Sequence, residues 1–161
     1  MQTNYSYNTR IGAAGGIVDL APHYVRSFIN EAATGAVKFG MGVTAGASAG
    51  RGVKLPATGD TAGKFEGVVT NRRTTELDLE GVLTLRNKCS LGVMQYGTIY
   101  ALLADDITPA YGDAVYLIIN GDDAGKFTNT SGADTIEIKG RFASEADNGV
   151  AIVELYNQAQ A

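Results

Sequence analysis

The stretch 97–156 holds four short runs, GTIYALLA (97–104), AVYLII (114–119), IEIKGRF (136–142) and VAIVELY (150–156), all rich in β-branched, aromatic and aliphatic residues. Turn chemistry separates them. Thr108-Pro109-Ala110-Tyr111-Gly112-Asp113 and Asn120-Gly121-Asp122-Asp123 combine a φ-fixing proline, glycines and side chains that bond to nearby backbone. Short strands between glycine-rich turns, with no long helical periodicity, predict an all-β fold, a small antiparallel β-barrel or sandwich. The pattern argues against a parallel α/β architecture.

Upstream, TELDLEGVLTLR (75–86) places Leu77, Leu79, Leu83 and Leu85 on one face and Glu76, Asp78, Glu80, Val82, Thr84 and Arg86 on the other. That period of two predicts a half-buried strand. Val68–Thr70 adds another short run. Residues 23–33 (HYVRSFINEAA) fit i,i+4 pairing through Tyr24/Phe28 and Val25/Ile29, and equally an extended chain, towards which their aromatic and β-branched content leans. A heptapeptide recurs: Gly59-Asp60-Thr61-Ala62-Gly63-Lys64-Phe65 and Gly121-Asp122-Asp123-Ala124-Gly125-Lys126-Phe127. Each reads as a glycine-opened turn leading into a strand headed by Lys-Phe, either one turn chemistry used twice or a trace of duplication.

The 161 residues suit one domain, and their 21 glycines follow no three-residue period while only 19% of residues are charged, so neither collagen nor a charged disordered chain fits. Charge divides unevenly. Residues 1–64 carry six Lys/Arg against three Asp/Glu, and residues 65–161 carry seven against fourteen. Glycine and alanine dominate GAAGG (12–16) and GMGVTAGASAGRG (40–52), which predicts loosely ordered backbone there. The expected organisation is an extended arm, residues 1–35, followed by one β-domain, residues 36–161.

A net charge of −4 with no basic stripe argues against a nucleic-acid partner. No apolar stretch approaches the roughly 18 residues that would span a membrane, and the first sixteen lack the pattern of a secretory signal. One cysteine leaves no internal disulfide to form. A phosphate loop needs GxxxxGK followed by Ser or Thr; GDTAGKF and GDDAGKF are one residue short and place Phe after Lys. His23 is the one histidine and sits beside Pro22, a poor setting for a general base, while Cys89 reads as a small, partly buried residue. One Cys and one His cannot build a zinc site. Acidic groups at 76, 78 and 80 and in the pairs Asp105-Asp106 and Asp122-Asp123 fit solvated strand faces and turns, and no calcium-loop spacing holds. The expectation is no catalytic residue, no metal and no cofactor. Tyr5, Tyr7, Arg10, Tyr24, Arg26 and Phe28 are the types enriched at protein interfaces, and are the candidate contact residues.

Several segments follow one another in a characteristic order: Gly15-Gly16-Ile17-Val18-Asp19, Arg26-Ser27-Phe28-Ile29-Asn30-Glu31, Val37-Lys38-Phe39-Gly40-Met41-Gly42-Val43 and Phe65-Glu66-Gly67-Val68-Val69. Tyr96-Gly97-Thr98-Ile99-Tyr100, Tyr111-Gly112-Asp113-Ala114-Val115-Tyr116, Gly125-Lys126-Phe127 and Val150-Ala151-Ile152-Val153-Glu154-Leu155 complete it. Over nearly the whole chain this order resembles the structural cement, or capsid decoration, proteins of tailed bacteriophages. The resemblance implies a non-enzymatic β-domain, made in the bacterial host cytoplasm and carried on the outer surface of the virion. There it would bind the major capsid protein at junctions between subunits and stabilise the expanded head. It implies self-association, a trimer ahead of a dimer, and no nucleic-acid or membrane partner. The competing readings are another virion part at the head-tail joint or tail, a glycan-binding β-module, which the absence of tryptophan disfavours, and a hydrolase working through paired carboxylates.

Overall fold

The computed structural model describes residues 12–71 and 83–156. Nine strands follow in order: β1 (Tyr24–Asn30), β2 (Gly42–Ala45), β3 (Gly52–Lys54), β4 (Phe65–Val69), β5 (Ser90–Leu102), β6 (Ala114–Ile118), β7 (Phe127–Thr128), β8 (Thr135–Phe142) and β9 (Val150–Leu155). The one helical element among the described residues is a 3-10 turn at Ala62–Lys64. The chain is all-β, as its turn-separated runs predict. Of the predicted strand at 75–86, the segment 75–82 lies outside the described residues, and Leu85 at its end is buried.

The strands run in the order β1-β3-β2-β4-β5-β9-β8-β6-β7, with β1 also paired to β5. That second pairing closes β1, β3, β2, β4 and the first half of β5 into a barrel. The second half of β5 pairs with β9, and a parallel bridge from Leu103 to Phe127, with Ala104 N–H donating to Phe127 O at 3.0 Å, joins the far end of that sheet back to β5. Two closed sheets therefore share one thirteen-residue strand. Closure removes most unpaired edges, the usual liability of small β-domains.

Each sheet encloses its own core. Phe28, Val37, Val43, Val53, Val69, Leu85, Leu91 and Val93 fill the first; Ile99, Ala101, Leu103, Val115, Leu117, Phe127, Ile138, Phe142, Val153 and Leu155 fill the second, which also receives Phe65, Val68 and Met94. Strand alternation explains the division: Val69 pairs with Val93 and points into the first core, while its neighbours Val68 and Met94 pair and point into the second. β5 must then reverse its faces, because Leu91 and Val93 serve the first core but Ile99 and Ala101 serve the second. A bulge does this. Tyr24 lies opposite Tyr96 and Val25 opposite Met94, leaving Gln95 as the extra residue, and Gly97 follows at φ +122°. β4 has a matching bulge, with Glu66 extra between Phe65 and Gly67 against β2. The two bulged residues meet, Gln95 Nε2 donating to Glu66 Oε2 at 3.1 Å.

The glycine-rich stretches are ordered, contrary to expectation. Glu31, just past β1, aims its carboxylate into the 46–52 turn, where Ala47 N–H and Ser48 N–H donate to it at 2.6 and 3.0 Å. A Cβ on Gly46 or Gly52 would collide with that carboxylate, so the glycines make room for an anchor. Hydrogen bonding from Ser48, joined by the Ala47 amide, holds the Glu31 carboxyl below the usual carboxylate range against the opposing desolvation. At 12–16, Gly15 N–H donates to Tyr100 O at 2.7 Å and Asn71 N–H to Gly15 O at 2.6 Å. The leader segment runs alongside β5, bridging Ile17 to Ile99.

The repeated heptapeptide has one structural use in two places. Gly59 and Gly121 both take positive φ, Lys64 and Lys126 each bind an aspartate of their own turn, and the two phenylalanines meet edge to face at 6.5 Å between centroids. Phe65 and Phe127 thereby tie a strand of each barrel into one core.

Candidate contact surface

Of the six predicted contact residues, Tyr5, Tyr7 and Arg10 lie outside the described residues. The other three sit on β1. The segment 23–33 fits helix and strand alike by sequence; in the structure Tyr24–Asn30 is extended, because its partner β5 supplies a ladder from Tyr24–Tyr96 to Ile29–Ser90. The boundary expected at residue 35 consequently falls beyond a strand that closes the first barrel. Extended geometry separates the three side chains. Tyr24 is 54% exposed and Arg26 lies on the surface, whereas Phe28 is 2% exposed and belongs to the first core. Phe28 still bears on the surface, since the Arg26 guanidinium stacks over its ring at 4.9 Å and donates to Gly50 O at 3.3 Å. Arg26 closes the mouth of the barrel over Phe28.

Pairing assembles an aromatic row that the sequence scatters. Tyr24 is directly opposite Tyr96, which is 43% exposed. On the other side of β5, Leu155 is opposite Gly97, so Tyr156, 44% exposed, follows at the position beside Tyr96. Three tyrosines from β1, β5 and the end of β9 thus lie in register across the seam between the two barrels. Beside them the 19–23 turn holds Leu20 at 99% exposure; Asp19 fixes this turn by accepting from Ala21 N–H at 2.9 Å, and the His23 ring nitrogen Nδ1 lies 2.9 Å from Ala21 O. Half-exposed tyrosines with polar tips and an exposed leucine suit a protein partner. Tyr96, Tyr156 and Leu20 escape sequence reasoning because only a pairing across some seventy residues puts β1 beside β5.

The other surface features are plainer. An apolar groove of about 420 Å³ is lined by Ala14, Val37, Phe39, Leu83, Leu85 and Leu102. The acidic turns form a shallow depression in which Asp123 is bound by Lys126 at 2.6 Å and Asp134 accepts from Asn120 at 3.2 Å. That ion pair raises the Lys126 pKa. Arg141 binds Glu154 at 2.7 Å and stacks over Tyr111 at 5.1 Å, and the Glu154 bond raises its pKa. Among the described residues no group of three or more His, Cys, Asp or Glu could hold a metal ion, and no helix is long and apolar enough to cross a membrane.

A family model described as structural cement protein (E217 gp24/Pam3 gp6) matches residues 1–156. Among solved structures, a chain from the capsid of Myoviridae phage XM1 superposes with a TM-score of 0.73 at 21% identity, covering 96% of each chain. No curated protein matches the sequence.

Proposed function

The chain belongs to the phage structural cement protein family, and on that premise we propose that it binds the exterior of a tailed-phage head, at junctions between major capsid proteins, and stabilises the expanded shell. A capsid-associated structural role follows from the family itself. The observation that carries the finer reading is the aromatic row Tyr24–Tyr96–Tyr156 with exposed Leu20, a surface of the composition found at protein interfaces. Arg26, held over Phe28, borders it, and Tyr5, Tyr7 and Arg10 precede it on the leader.

The mechanism is linkage. A protein that binds only the expanded lattice stabilises that lattice by RT ln(1 + [L]/Kd) per site, about 2.7 kcal/mol at a hundredfold excess over Kd. Summed over the many equivalent sites of a shell, this opposes rupture by packed nucleic acid. Such a reading needs no catalytic group and no cofactor. Self-association, as a trimer ahead of a dimer, would match the protein to a symmetry axis of the shell and is read directly by mass in solution. The test mixes purified protein with expanded and immature heads: binding to expanded heads alone, with a higher rupture temperature, is the expected result. Equal binding to both forms, or an unchanged rupture temperature, would defeat it.

A further inference from the structure

Among the described residues, the pairing that closes the first barrel along β1 is short on one side. β3 pairs with β1 only through Ile29 and Asn30. Ile29 N–H donates to Arg51 O at 2.8 Å and Asn30 N–H to Cys89 O at 2.9 Å, which fixes the alternation along the strand: odd residues turn their backbone towards β3, even residues towards β5. Val25 and Ser27 therefore direct N–H and C=O to the side on which, among the described residues, no strand is paired with β1 before Ile29. A groove of about 200 Å³ lies at this edge, lined by Ser27, Phe28, Ile29, Gly50, Arg51 and Ser90. Arg26 and Arg51, both exposed, flank it. The barrel around it is basic: residues 23–71 and 83–96 carry seven Lys/Arg against three Asp/Glu.

We propose that the open edge of β1 at Val25 and Ser27 receives an extended, acidic segment of the partner polypeptide, which adds to the barrel as a further strand. The inference rests on the proposed capsid binding and specifies how one contact is made. The N–H and C=O groups of Val25 and Ser27, without a backbone partner on that side among the described residues, supply the main-chain bonds of strand addition. Arg26 and Arg51 supply charge-assisted bonds to carboxylates projecting from the added strand, which sets its sign. Arg26 suits this because its contacts with Phe28 and Gly50 O hold the guanidinium in place beforehand.

Amide hydrogen exchange by NMR, on the full chain with and without an acetylated Val-Glu-Val-Glu-Val-Glu peptide, tests the edge directly. Val25 and Ser27 amides should exchange freely alone and slow at least about tenfold with the peptide, and not with its Val-Lys counterpart. Ser27→Pro, which removes an N–H facing away from β5, should retain the thermal transition and lose head affinity at least about tenfold. Arg51→Glu should weaken binding comparably and abolish the peptide preference. No protection by either peptide, or equal protection by both, overturns the proposal. So does protection of these amides by raised protein concentration alone, which would make a second copy the occupant. Wild-type protein that fails to bind heads defeats the capsid reading instead, whatever the peptide does; wild-type binding that Ser27→Pro and Arg51→Glu leave intact defeats only the edge.

Discussion

Asp60 shows how one residue of the repeated turn is put to structural use. Its carboxylate is buried, and burial alone would raise its pKa. Hydrogen bonds from Lys54 (3.0 Å), Ala57 N–H (3.0 Å), Thr44 (3.0 Å) and Lys64 (3.2 Å) outweigh that and hold it at about 2 instead of 3.8. A depressed carboxylate contributes stability that is complete above its unfolded pKa and is lost as pH falls through the folded one. The difference is about 2 kcal/mol, lost between about pH 4 and pH 2. Asp60→Asn should lower stability by about that amount at pH 7, measured by denaturant titration, and flatten the dependence on pH in this window. An unchanged acid transition would place the coupling elsewhere. Gly67 is a second sensitive residue. It takes φ +140°, and a Cβ there would collide with the Met94 carbonyl, so Gly67→Ala should cost about 3 kcal/mol or more by the same titration.

At the scale of the strand, the leader divides at a place the sequence does not mark. Residues 12–18 are bonded along β5, and β1 closes the first barrel, so deleting residues 1–30 should abolish the thermal transition. Deleting 1–11 leaves these bonds in place and is the comparison, both deletions being followed by far-ultraviolet circular dichroism. If the longer deletion melted normally, β1 would be dispensable to the barrel. What the sequence made legible follows from this contrast. The strands at 65–69, 114–118, 135–142 and 150–155 are bounded by turn chemistry written in adjacent residues, and local reading finds them. β2 and β3 hide in 40–54, because Gly46 and Gly52 there make room for Glu31 and Gly42 for Leu117 and Phe127, where local reading sees only a loop. The reversal of β5 at Gln95 and Gly97 depends on two cores that no local pattern records. The same holds for the proposed contact surface: composition proposes Tyr24 and Arg26, register alone adds Tyr96 and Tyr156, and Phe28 lies with Asn30 on the buried face of β1.

Across the whole molecule the two barrels carry opposite charge. The first, residues 23–71 and 83–96, holds seven Lys/Arg against three Asp/Glu; the second, residues 97–156, holds three against ten. Because the barrels share β5, the described residues form an electric dipole whose positive end carries Arg26, Arg51 and the open strand edge. A dipole of this kind orients an approaching protein before contact and raises its association rate, an effect that salt suppresses within a Debye length of about 10 Å at 0.1 M. If the basic barrel meets the shell, raising sodium chloride from about 50 mM to about 500 mM should lower head association by about tenfold, mainly in the on-rate. Lys38→Glu with Lys88→Glu, both exposed on the first barrel, should flatten that dependence. Asp122→Lys with Glu137→Lys on the second barrel should leave it nearly unchanged, since those groups would face solvent in the bound state. Surface plasmon resonance on immobilised heads separates the rates. A salt dependence that followed the second pair of substitutions and ignored the first would turn the molecule around on the shell, with its acidic barrel inward.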